Sequence, residues 1–125
     1  MEESVRREVV FREPREDVWR ALTDPERLAE WFANEVELDP RPGGAGRFRW
    51  DDGSERRATV EEVERDRRFA FRWRDAEAIE PETLVELTLE DDADGTRLVV
   101  VETPAAGAEW APALSLRAAF AAVAV

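Results

Sequence analysis

Residues 18–32, VWRALTDPERLAEWF, hold two amphipathic helices too short to stand alone, and this stretch limits what the rest of the chain can be. Val18, Trp19 and Leu22 fall at i, i+1 and i+4, and Leu28, Trp31 and Phe32 at i, i+3 and i+4. Each half therefore presents one apolar face at helical spacing. Between them, Thr23-Asp24-Pro25-Glu26 is a start signal. Asp24 can cap with Pro25 in the first helical position, or Thr23 and Glu26 can form a capping box, and either ends the first helix near Leu22. Helices of about two turns fall below the ~12 residues at which an isolated helix holds in water, so both need a larger surface to pack on.

The rest of the chain offers that surface as strands. In residues 5–11, Val5, Val9 and Phe11 share one parity, broken by Arg7, and Glu13-Pro14 stops the strand. Residues 34–38 alternate weakly through Val36 and Leu38, and the Pro40 to Gly46 run that follows admits neither helix nor strand interior. Residues 47–50 put Phe48 and Trp50 on one face, and Asp51-Asp52-Gly53 signals a tight hairpin into a return strand over 55–64. There Ala58 and Val60 are in phase and Val63 is not, so either a bulge lies near Glu61 and Glu62 or Glu62 points inward. RFAFRWR, residues 68–74, alternates Phe69, Phe71 and Trp73 strictly with arginines. Residues 83–90 follow with Val85, Leu87 and Leu89 inward. After an acidic turn, residues 96–103 are apolar on both faces from Leu98 to Val101, which suits a strand interior to the sheet.

Composition then removes whole classes of function. The 125 residues suit one domain, 1–125, and contain no Cys, His, Tyr or Lys. Zinc sites, thiol chemistry and imidazole bases are excluded. Asp91, Asp92 and Asp94 before Gly95 are too few for a calcium loop and suit a hairpin turn, so neither a metal nor a cofactor is expected. A net charge of −12 opposes nucleic acid, and the seven arginines from Arg56 to Arg74 are expected as a solvent-face ladder paired with Glu55, Glu61 or Glu64. No signal-peptide pattern opens the chain, which predicts a cytoplasmic protein.

Residues 109–125 carry Trp110, Leu114, Leu116 and Phe120 among many alanines and predict a buried final helix. With Pro112 and Arg117 inside it, the stretch falls short of the ~20 apolar residues of a membrane span. Strand, two short helices, six more strands and one long helix describe an α+β domain, a curved antiparallel sheet of about six or seven strands covered by the last helix.

The segments VVFREPREDVWRALTDPERLAEWFA, the Pro-Gly-Gly run with GRFRWDDG, the strand RFAFRW and DGTRLVVVET resemble the SRPBCC (START-like, helix-grip) superfamily. The nearest branch in motif order is the one named for the activator of the heat-shock protein 90 ATPase. The resemblance implies a helix-grip fold with a cavity between sheet and long helix, which in relatives takes sterols, lipids, polyketides or other apolar molecules. It also places Trp110 where such proteins often open the last helix.

On this reading Trp31, Phe32, Phe48, Trp50, Phe69, Phe71, Trp73, Trp110 and Leu114 form either the core or the lining of a ligand cavity. Arg7 and Glu62 are the charged residues whose strand parity can face it. Expected function is non-enzymatic binding of a small hydrophobic or amphipathic molecule. The alternatives are a protein-interaction domain acting on a chaperone, through Arg68, Arg72 and Arg74, or a cyclase- or hydrolase-type enzyme using cavity carboxylates.

Overall fold

A computed structural model describes residues 4–77 and 82–104. The expected final helix, with Trp110 and Leu114, lies outside them. The chain opens with strand β1 (Val5–Phe11), followed by helices α1 (Arg15–Thr23) and α2 (Pro25–Trp31). Six strands complete the described chain: β2 (Glu35–Leu38), β3 (Ala45–Arg49), β4 (Glu55–Glu64), β5 (Arg68–Asp75), β6 (Thr83–Asp92) and β7 (Gly95–Pro104). They form one antiparallel sheet in the order β1-β7-β6-β5-β4-β3-β2. β7 is thus interior, as its two apolar faces require, and the edges are left to the charged strands β1 and β2.

Of the two starts open to α2, the chain uses Asp24: its carboxylate accepts from the Glu26 backbone N–H at 2.9 Å, with Pro25 in the first turn. The Thr23 hydroxyl instead donates back to the Trp19 carbonyl at 2.8 Å. The apolar faces of both helices lie on the inner face of the sheet, where Trp19 meets Phe69 edge-on at 6.0 Å between ring centroids. Val18, Leu22 and Leu28 are buried in the same cluster as Phe48, Phe71, Val85 and Leu98.

The Pro-Gly-Gly run is a turn stitched to β4. Gly43 has a φ of +82° and donates to the Val60 carbonyl at 2.8 Å, while Val60 N–H donates to Gly44 at 2.8 Å. Directly after this clasp, β4 bulges between Val60 and Glu62, settling the alternative left by its phase. The extra residue keeps both Glu61 and Glu62 on the outer face and returns Val63 to the core. Glu62 therefore does not face a cavity: it is exposed and pairs with Arg68 at 2.9 Å.

The outer face is a self-neutralising ladder. Arg68 bridges Glu62 and Glu86, Arg72 pairs with Glu61, and Arg47, Arg49 and Arg57 converge on Glu55. The Arg47 hydrogen bond, joined by that of Arg57, holds the Glu55 carboxyl below its ordinary range. A carboxyl whose folded pKa lies below its unfolded value stabilises the fold above the ordinary carboxylate range, and loses that contribution as pH falls through it. Urea unfolding of the protein and of Glu55→Gln is therefore expected to show a stability gap at pH 7 that narrows towards a pH of about 3. A gap independent of pH would dismiss this role.

Candidate functional site

The structure gathers the aromatic residues expected on the inner face, and it packs them against one another. Phe32 stacks on Trp73 with centroids 6.0 Å apart and planes at 18°, and meets Phe48 and Trp50 edge-on at 5.5 and 5.6 Å. Phe71 lies 5.3 Å from Trp73 and 5.7 Å from Phe69. The indole N–H groups are also engaged. Trp31 Nε1 donates to the Ala21 carbonyl and Trp50 Nε1 to the Phe32 carbonyl, both at 2.9 Å, so these two rings lock α2 to α1 and to the β3–β4 turn.

Among the described residues, this end holds a cleft of about 20 Å³ bordered by Leu22, Leu28, Trp31, Phe32, Phe69 and Leu87. That holds about one water, far below the ~300 Å³ at which small-molecule sites begin. Beneath the helix pair, Phe32, Phe48, Phe69, Phe71 and Trp73 are buried in one hydrophobic cluster, with Trp31 and Trp50 packed against it. Arg7 has the inward parity, opposite Val100, but lies on edge strand β1 and is exposed, so it lines no cavity among the described residues.

The polar chemistry sits further along the inner face, on Glu102, which drew no notice in the sequence, and on Arg56, which was expected in the solvent-face ladder but shares the inward parity of Ala58 and Val60. Arg56 on β4 has the parity of Ala58 and Val60, and its guanidinium carbon lies 4.6 Å from the centroid of the Trp73 ring. A cation over an indole face gains about 0.5–2 kcal/mol, more as water is removed. Its Nε is buried without a hydrogen-bond partner. The edge of the same indole is turned to β7: Trp73 Nε1 donates to Glu102 Oε2 at 3.1 Å, and the Thr83 hydroxyl donates to that oxygen at 2.8 Å. Glu102 is only 2% exposed, so its carboxylate needs these donors to remain inside.

Register explains the grouping, because Ala58 pairs with Trp73, Trp73 with Thr83, and Val85 with Glu102. Four adjacent strands thus contribute one inward polar group or polar-tipped ring each. Period-two counting could have found both charged members. Arg56 is two residues before Ala58, and Glu102 is two after Val100.

An antiparallel sheet in this strand order, with a helix pair after its first strand, is consistent with the helix-grip fold of the SRPBCC superfamily. Within it, the chain belongs to the family described as activator of Hsp90 ATPase homolog 1-like protein, whose sequence model matches residues 12–115. No curated protein matches the chain. Among solved structures, DynU16, from the dynemicin biosynthetic locus, is 31% identical with a TM-score of 0.80, and the match covers 96% of this chain but 45% of DynU16. CalU16 from Micromonospora echinospora is 29% identical with a TM-score of 0.63, covering 83% of this chain and 60% of CalU16. CV1439 from Chromobacterium violaceum, at 24% identity and a TM-score of 0.74 over 97% and 96% of the two chains, shares the fold. Among the described residues no helix is long and apolar enough to cross a membrane.

Proposed function

We propose that this protein binds a small amphipathic molecule, without transforming it, on the inner face of the sheet around Arg56, Trp73, Thr83 and Glu102. The observation that carries the reading is Arg56, a charged side chain turned inward with a buried Nε that no protein acceptor satisfies. Leaving such a donor unmade costs roughly 1–3 kcal/mol, which a ligand oxygen would recover. The apolar rings beside it, Phe71 and Trp73, are almost wholly buried, so the rest of the molecule would have to part them from their neighbours. Catalysis has less support, because Glu102, the buried carboxylate of this group, is held by Trp73 and Thr83. A chaperone contact through the outer arginines also has less support, since Arg68 and Arg72 are already neutralised by neighbouring glutamates.

The test is a titration with an uncharged amphiphile, 1-octanol, read by tryptophan fluorescence and thermal unfolding. Saturable binding is expected, with stabilisation of about 2.7 kcal/mol at a hundred times the dissociation constant. Absence of saturable binding by 1-octanol and by its charged analogues would mean that the inner face is packed core throughout.

A further inference from the structure

We infer, resting on the reading above, that the ligand carries a single carboxylate and that Arg56 is the residue that reads it. The partly buried arginines of the described residues divide sharply. Arg15 pairs with Asp91, Arg47 with Glu55, Arg68 with Glu62 and Glu86, and Arg97 with Asp92. Arg56 has no carboxylate within ion-pair distance among the described residues, and its Nε has no acceptor at all. The Nε is withdrawn from water while the side chain as a whole is partly exposed, so the guanidinium lacks an ion-pair partner and one hydrogen bond, and a neutral ligand oxygen supplies only the second. A carboxylate supplies both, because its two oxygens match the planar fork of Nε and the adjacent Nη.

The surroundings limit the anion's charge. Trp73 offers its face to Arg56 and its edge to Glu102, so a buried carboxylate already lies one indole away from the cation. Asp75 also stands opposite Arg56 on β5, beyond ion-pair distance, so one guanidinium can balance at most one further negative charge there. A phosphate dianion would bring an uncompensated charge beside Glu102, in a chain that already carries −12. Cation–π contact with Trp73 further fixes the guanidinium plane, so the site selects planar monoanions over tetrahedral dianions.

The experiment compares octanoate, 1-octanol, octylamine and octyl phosphate as ligands for the protein, Arg56→Lys and Arg56→Met, by calorimetry with unfolding midpoints recorded in parallel. The unaltered protein is expected to bind octanoate at least about tenfold more tightly than 1-octanol, with octylamine weakest and octyl phosphate below octanoate. Arg56→Met should lower octanoate affinity about tenfold or more, while leaving 1-octanol within about twofold. Arg56→Lys keeps the charge but not the fork, and should recover only part of the preference. Should Arg56→Met fail to fold, the Lys variant and the ligand ranking on the unaltered protein decide the matter. Equal binding of octanoate and 1-octanol would overturn the carboxylate assignment and leave the ligand-binding reading standing, whereas binding of none of the four would overturn both. Tighter binding of octyl phosphate than octanoate would replace the monocarboxylate by a phosphate.

Discussion

Trp73→Ala is expected to destabilise the protein by about 3–5 kcal/mol and to lower its thermal midpoint by roughly 10–25 °C. Trp73 has no exposed surface and its ring is in contact with Phe32, Phe48 and Phe71. Truncation would open a cavity between three aromatic rings that cannot collapse independently, because each is fixed by another neighbour. It would also remove a donor from the buried Glu102 and the surface on which Arg56 rests. Trp73→Phe separates these terms: it keeps most of the volume and removes the indole N–H, and should cost about 1–3 kcal/mol. Chemical unfolding of the two variants is the measurement. A loss below about 1.5 kcal/mol for the alanine variant would show that the neighbouring rings close over the space that Trp73 leaves.

Gly95→Ala is the second change expected to be severe, at about 3 kcal/mol or more. Gly95 follows the two-residue turn that joins β6 to β7, and its φ of +144° is one that side-chain-bearing residues rarely adopt. A Cβ there would lie 2.1 Å from the Phe11 carbonyl oxygen and 2.7 Å from the Arg12 carbonyl carbon. Those atoms are main chain, so no rotamer change relieves the overlap, and the exit of β1 would have to move. Gly53→Ala makes the contrast, because that glycine also has a positive φ, +91°, but faces open space. It should cost about 1–2 kcal/mol, the strain of a left-handed residue alone. Equal losses for the two variants would mean that backbone crowding at Gly95 contributes nothing.

Most of the sheet could be read from the chain, because a half-buried antiparallel strand writes its burial into alternate residues and its turns into Gly, Pro and Asp. Phe69, Phe71 and Trp73 show this, as does the Asp92 to Gly95 turn, where the Asp92 carboxylate accepts from the Asp94 N–H at 3.0 Å. The site was less legible for two physical reasons. A bulge changes parity without changing composition, so Glu62 remained open as an inward residue until the Val60–Glu62 shift placed it outside. Arg7 kept its parity but lies on an edge strand, and strand order is set by pairings far apart in sequence. Arg56 and Glu102 were within reach of the same counting rule but stood at strand ends, beyond the apolar runs that draw attention. Whether the aromatic rings form a pocket or fill it depends on ring angles and packing, which residue spacing does not fix.

The position of β1 carries a consequence for how the molecule is made. Among the described residues its only sheet neighbour is β7, with Val5 opposite Glu102 and Phe11 opposite Thr96, whereas every other neighbouring pair there consists of strands consecutive in the chain. The hairpins from β2 to β7 can close in turn as they emerge from a ribosome. β1 must wait for β7, a delay of roughly 5–20 s at the usual ~5–20 residues per second. Helix α1 waits as well, because the surface its apolar side packs against is built from β6 and β7. For that interval β1 is an unpartnered β-segment, and the consecutive charges of Arg6, Arg7 and Glu8 oppose its pairing with a strand on another chain.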